Sequence, residues 1–160
     1  MKKEVITFGC RLNTYESEII RKNLSLSTEE NIAVFNTCAV TKEAEKQAKQ
    51  AIRKMKKEQP TKKIIVTGCA AQHNPQIFAS MPEVDKVIGN EEKLSAEYYN
   101  LDDARVLVND IMSVKETANH LIESFDGKAR AFIQVQNGCD HRCTFCMIPF
   151  GRGNSRSVPI

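Results

Sequence analysis

Three short apolar runs punctuate the first seventy residues, and each is closed by a turn residue and a cysteine. Val5 to Phe8 leads into Gly9-Cys10, Ile32 to Phe35 into Asn36-Thr37-Cys38, and Ile64 to Thr67 into Gly68-Cys69. A brief apolar run bounded by turn chemistry reads as a buried strand end. Helical patterns lie between these strands. The clearest runs from Lys42 to Glu58, with Ala44, Ala48, Ala51, Ile52 and Met55 on one stripe and Thr41 ahead of it as an N-cap. An earlier helix is expected to start after Asn13, because Glu16 stands three positions on in the arrangement of a capping box. The order is strand, helix, strand, helix, strand, with successive cysteines 28 and 31 residues apart. That spacing suits β-α units, whose right-handed crossovers build a parallel sheet. All strands of such a sheet end at one edge, where ligands bind. Cys10, Cys38 and Cys69 are therefore expected to converge there.

The pattern continues through Val87-Ile88-Gly89-Asn90 and Glu91 to Tyr99, which reads as a further strand, turn and helix closing a domain over residues 1–101. About 100 residues is an ordinary domain size. Asp102 to Lys128 has mixed polarity and a weak pattern, as a linker would. Ala131 to Gln136 then opens a new strand in a second unit over 129–160. The fold class is thus α/β, a flavodoxin- or Rossmann-like parallel sheet followed by the start of another domain. A flavin-binding function is disfavoured, since cysteines occupy the positions where phosphate-binding Ser, Thr and Gly are wanted.

The second unit begins with chemistry. Cys139, Cys143 and Cys146 stand in the loop Gly138-Cys139-Asp140-His141-Arg142-Cys143-Thr144-Phe145-Cys146, a C-x3-C-x2-C spacing. Three thiolates on one face of a 4Fe-4S cube leave one iron open to a ligand that is not protein. Zinc is the competing reading, because C-x2-C pairs also bind zinc. His141 is the nearby fourth candidate, but a short loop would struggle to bring all four side chains to one tetrahedral centre. Disulfides are less suited to a chain whose Met-Lys-Lys-Glu start does not read as a secretory signal. By default the dispersed cysteines would be small buried hydrophobes. Three in the same βα position point instead to a shared metal or cluster site.

The C-x3-C-x2-C loop resembles that of the radical S-adenosylmethionine (SAM) enzymes. Four motifs narrow the resemblance: Thr7-Phe8-Gly9-Cys10-Arg11-Leu12-Asn13, Asn36-Thr37-Cys38-Ala39-Val40, Gly68-Cys69-Ala70-Ala71-Gln72, and the tight loop followed by Ile148-Pro149-Phe150-Gly151-Arg152-Gly153. Together, and over nearly the whole chain, they look like the tRNA methylthiotransferases. The resemblance implies that Cys10, Cys38 and Cys69 hold an auxiliary 4Fe-4S cluster that supplies or carries sulfur. It implies that Cys139, Cys143 and Cys146 hold the radical-generating cluster, whose open iron binds SAM. The implied reaction inserts a methylthio group at C2 of a modified adenosine beside the anticodon, with an electron donor as a further partner. Arg11-Leu12-Asn13 and Arg152-Gly153-Asn154-Ser155-Arg156-Ser157 resemble the branch acting on N6-threonylcarbamoyladenosine more than the isopentenyladenosine branch. A third branch modifies an aspartate of a ribosomal protein.

Charge adds a modest argument for an RNA partner. Lys42 to Lys63 holds nine Lys or Arg against three Glu, a local balance of +6 in a chain of net +3. Such a stretch can attract phosphates. It can equally be a solvated helix face with pairs such as Glu45 and Lys49. Arg152 and Arg156 are better placed to meet a substrate. His73, His120 and His141 read as surface residues. No run reaches the roughly 18 apolar residues of a membrane span, so a cytoplasmic protein with neither membrane nor DNA partners is expected. A full eight-fold barrel takes about 250 residues, and 28 residues follow Phe132. The family's remaining barrel and its RNA-binding domain are missing from this sequence. A truncated copy or a fragment of a longer gene product is therefore expected, inactive alone, its missing parts lost or on another chain, with a non-catalytic iron-sulfur-binding fragment as the alternative.

Overall fold

The computed structural model describes residues 2–117 and 130–159. Five strands form one parallel sheet in sequential order: β1 (Glu4–Thr7), β2 (Ile32–Thr37), β3 (Lys63–Gly68), β4 (Lys86–Ile88) and β5 (Val106–Leu107). Register aligns Val5 with Val34 and Val34 with Ile65, while Ile6, Phe35, Val66 and Val87 form the neighbouring row. These rows point to opposite faces, so both faces of β2 are apolar and all six of its residues are buried.

Helix α1 (Arg11–Leu26) covers one face, with Ile20 and Leu24 against Ile32, Val34, Ile65, Ile88 and Tyr99. Helix α2 (Lys42–Glu58) and the short helices α3 (Cys69–His73) and α4 (Pro75–Ala79) cover the other, where Ile52 and Phe78 meet Ala33, Phe35, Ile64, Val66 and Val87. Each such large side chain contributes roughly 1.5–3 kcal/mol through burial. Because α1 and α2 lie on opposite faces while the chain steps in one direction across β1, β2 and β3, their crossovers are of opposite hand. One of them departs from the right-handed rule expected from sequence.

Helix α2 has the predicted bounds and the predicted cap: the Ala44 N–H donates to Thr41 Oγ1 at 3.1 Å. Glu43 and Glu45 in its first turn and Lys56 and Lys57 in its last suit the helix dipole. Its basic surface is partly neutralised within the fold. Lys49 pairs with Glu45 at 2.6 Å, Lys56 and Lys63 reach Asp85, and the buried Lys62 reaches Glu4 at 3.0 Å.

Helix α1 departs from expectation. It starts at Arg11, with Cys10 as its N-cap and the Cys10 carbonyl accepting from Thr14 N at 3.1 Å. Asn13 is not the cap, because its amide is drawn inward to donate to the Phe8 and Thr37 carbonyls at 2.8 and 2.9 Å. After β4, two 3-10 turns, Glu92–Leu94 and Ala96–Tyr99, replace the expected helix. Extended Ser95 separates them, and the Tyr99 hydroxyl donates to the Lys93 carbonyl at 2.6 Å.

Strand β5 lies inside the stretch read as a linker, so the sheet extends beyond residue 101. Residues 118–129, including His120, lie outside the described residues. In place of a strand over 131–136 there is a two-residue pairing of β6 (Gln136–Asn137) with β7 (Arg156–Ser157), antiparallel and separate from the main sheet. A strand is sustained by partners, and among the described residues β7 is the only partner of β6. Helix α5 (Ile148–Arg152) lies between them in sequence.

Candidate iron-sulfur centre at the sheet edge

The parallel sheet delivers three cysteines to its C-terminal edge. Cys10 follows β1 and caps α1, Cys38 directly follows β2 and is buried, and Cys69 opens α3 directly after β3. Gly9 allows the first two loops to touch: its φ is +97°, and a Cβ there would stand 2.6 Å from Cys38 Sγ. All six cysteines are free thiols. Among the described residues, no three His, Cys, Asp or Glu side chains converge as ligands of one metal ion. Convergence on a single ion would require Sγ atoms about 2.3 Å from one centre, whereas the ligands of a cube each meet a different iron.

The donors around Cys69 suit a thiolate, whereas Cys38 is held above the ordinary thiol value. Burial pushes the Cys38 thiol up, opposed by a backbone hydrogen bond at Val40. Cys69 and Cys10 push it further up, and the Arg152 charge pulls it down. Cys69 Sγ receives Arg152 Nε at 3.0 Å and Asn90 Nδ2 at 3.5 Å. Hydrogen bonds from N–H groups to sulfur are a normal feature of cluster ligation, and a coordinated thiol is deprotonated outright. The residues present therefore fit an iron-sulfur group.

Behind the sulfurs lies a buried polar cluster. Arg152 pairs with Glu16 Oε1 and donates to Asn13 Oδ1. Lys93 Nζ meets Glu16 Oε2 at 2.5 Å and Asn90 Oδ1 at 2.6 Å. Burial raises Glu16, but Arg152 and Lys93 outweigh it and hold the carboxyl below its ordinary value. Burial lowers Lys93, only partly offset by Glu16. Gln72 braces the same region, accepting from Asn90 N at 2.8 Å and donating to the Asn109 carbonyl at 2.9 Å.

The second cysteine set forms a compact turn. Cys146 N donates to the Cys143 carbonyl at 3.0 Å, and Cys139 N to the Gly153 carbonyl at 3.1 Å. Arg142 closes the loop through the Cys139 carbonyl at 2.9 Å and through Asn154. Cys143 is exposed, and Cys139 and Cys146 are half-buried. The segment after this loop reaches the first set. Gly151 lies so close to Cys69 that a Cβ would fall 2.9 Å from the cysteine Cβ, and its carbonyl accepts from Asn90.

Arg152 therefore does not face outward toward a substrate, as its sequence position suggested. It is buried against Cys69 and Glu16. Arg156 is buried too, donating to the Arg152 and Asn154 carbonyls at 2.9 Å each. Glu16 is an ion-pair partner rather than a capping residue. His73 is exposed and lies beside Phe150, and His141 is exposed. Sequence reasoning missed Asn90 and Lys93, whose nearest signal was the apolar Val87-Ile88 strand just before them.

The sequence model described as "Uncharacterized protein family UPF0004" matches residues 2–89. Threonylcarbamoyladenosine tRNA methylthiotransferase MtaB of Rickettsia prowazekii is 71% identical over 160 residues, 100% of this chain and 38% of that protein. The protein of the same name from Aquifex aeolicus is 36% identical, covering 100% of this chain and 42% of its own length. A tRNA-2-methylthio-N(6)-dimethylallyladenosine synthase of Ehrlichia chaffeensis is 34% identical over 96% of this chain and 39% of its own length. The chain thus spans about two fifths of the length of the curated relatives it matches. It belongs to the UPF0004 family and groups, along its whole length, with proteins named as tRNA methylthiotransferases.

Proposed function

We propose that this chain provides the cluster-binding part of a radical SAM tRNA methylthiotransferase acting on N6-threonylcarbamoyladenosine beside the anticodon. One observation carries the reading: three free cysteines sit on the loops after three adjacent parallel strands, with the segment following the C-x3-C-x2-C loop seated on the third. Cys10, Cys38 and Cys69 would hold one 4Fe-4S cluster, and Cys139, Cys143 and Cys146 a second with an iron open to SAM. When bound, these groups supply a SAM-derived radical able to break a C–H bond and the sulfur to be inserted there. The chain's own residues prepare the ligands. Arg152 and Asn90 donate to the Cys69 sulfur, and Gly9 leaves room for Cys38 beside the first loop. Glu16 fixes the guanidinium while Lys93 fixes Glu16. No described helix is long and apolar enough to cross a membrane. We place the reaction in the cytoplasm, with tRNA and an electron donor as partners.

Anaerobic reconstitution tests the ligand sets. The chain should take up about eight irons with matching sulfide if both clusters are 4Fe-4S. Replacing Cys10, Cys38 and Cys69 together by Ala should remove half, as should replacing the other three. Unchanged iron in either triple variant, or a zinc-loaded protein, would refute the two-site reading. For the substrate, deleting the gene should abolish the methylthio group on threonylcarbamoyladenosine in digested cellular tRNA. Loss from isopentenyladenosine instead would overturn the branch assignment.

A further inference from the structure

Arg152 engages three partners with three different nitrogens. Nη1 faces Glu16 Oε1, Nη2 faces Asn13 Oδ1, and Nε is aimed at Cys69 Sγ at 3.0 Å. A latch holding the second cysteine segment against the sheet needs only the first two contacts. The third places a permanently charged donor on a sulfur that also receives Asn90 Nδ2 at 3.5 Å. Arg152, Lys93 and Glu16 together leave one net positive charge buried beside this sulfur.

From this geometry we infer that Arg152 is a positioning residue that raises the reduction potential of the cluster held by Cys10, Cys38 and Cys69, and does so only while the second cysteine segment is docked. The inference rests on the proposed function, since it needs a cluster at the sheet edge. Cluster potentials depend on net charge and on hydrogen bonds to the sulfurs. Reduction adds one electron to the irons and moves no proton. The added negative charge is stabilised by the N–H donors and the buried cation. Arg152 lies after the C-x3-C-x2-C loop, so undocking that segment would withdraw the donor and lower the potential.

The test uses the full chain with Cys139, Cys143 and Cys146 replaced by Ala, so that one cluster remains. After reconstitution with iron and sulfide, it is titrated with titanium(III) citrate and followed by electron paramagnetic resonance. Arg152→Gln leaves Glu16 paired with Lys93, so no buried charge loses its counter-ion, and the net positive charge beside the sulfur is removed. It should retain its iron and lose at least tenfold in the equilibrium for reduction, a fall of about 59 mV for one electron. Arg152→Lys keeps the charge but cannot serve three partners, and should fall between the parent and Arg152→Gln. Equal potentials in parent and both variants at full iron load would overturn the inference and leave Arg152 as a latch. If Arg152→Gln fails to hold iron, Arg152→Lys and Asn90→Ala, which removes the second donor, decide by the same readout. No iron in the parent background would instead refute the proposed function.

Discussion

Replacing Glu16 by Gln changes one buried charge and almost no volume. In the folded chain the Glu16 side chain is 2% exposed and lies between Arg152 and Lys93, with Lys93 Nζ 2.5 Å from Oε2. Gln leaves two cations facing each other without their counter-ion. Breaking a buried pair by removing one partner costs about 3–5 kcal/mol, a large share of the roughly 5–15 kcal/mol that holds a domain together. The loss should be read by denaturant unfolding of the iron-free chain, kept anaerobic and reduced so that cluster binding does not add to stability. Lys93→Gln in the same chain restores the parent's net buried charge, so the double variant should be more stable than Glu16→Gln alone. The pH dependence has a definite sign. The folded Glu16 value lies below its ordinary one because Arg152 and Lys93 outweigh the effect of burial. Its stabilisation is therefore complete above the unfolded value of about 4.3 and lost as pH falls through the folded value. The gap between parent and Glu16→Gln should shrink over that acid window. A cost under about 1 kcal/mol at neutral pH, or a gap indifferent to acid, would refute the ion-pair argument.

Two further substitutions separate the site from the scaffold. Gly9→Ala combines a positive φ with a Cβ 2.6 Å from Cys38 Sγ. Backbone strain of about 1–3 kcal/mol is expected, and iron analysis should show loss at the first cysteine set with the second retained; full loading of both sets would contradict the close packing of these loops. Ile52→Ala empties a buried position between α2 and the sheet and should cost about 2–5 kcal/mol in denaturant unfolding, with iron stoichiometry unchanged once the protein is folded. Loss of iron in the folded variant would show that the site depends on this distant core.

What the sequence revealed divides along physical lines. Strands β1 to β3 and helix α2 were legible because their signals are local: apolar runs closed by turn residues, and a 3.6-residue stripe behind a capping Thr41. The placement of Cys10, Cys38 and Cys69 on loops at one sheet edge followed from topology, since every parallel strand ends at the same edge. Helix α1 was misread at its start because an Asn followed three residues later by Glu has the same spacing whether it caps a helix or lines one buried face. Strand β5 was missed although Val106-Leu107-Val108 offered an apolar run, because two paired residues make too short a signal among polar neighbours. The roles of Arg152, Lys93 and Glu16 are carried by contacts spanning up to 139 residues. No window along the chain contains that information.

The contrast between core and edge explains why these long-range contacts are polar. Apolar packing fills both faces of the sheet, and burial itself is non-directional. Such packing can hold α2 and α3 against β2 and β3, but it sets the angle of a cysteine sulfur only loosely. At the edge the requirement changes, because Cys69 and the segment from Ile148 to Arg152 must keep a defined mutual orientation. A guanidinium fork with a fixed geometry supplies direction. Glu16 anchors that fork from α1, and Lys93 anchors Glu16 from beyond β4. The orientation at Cys69 is thus tied to elements on both sides of the first cysteine set. A shift of either element strains buried charged contacts, so the geometry at Cys69 follows from where charge is confined.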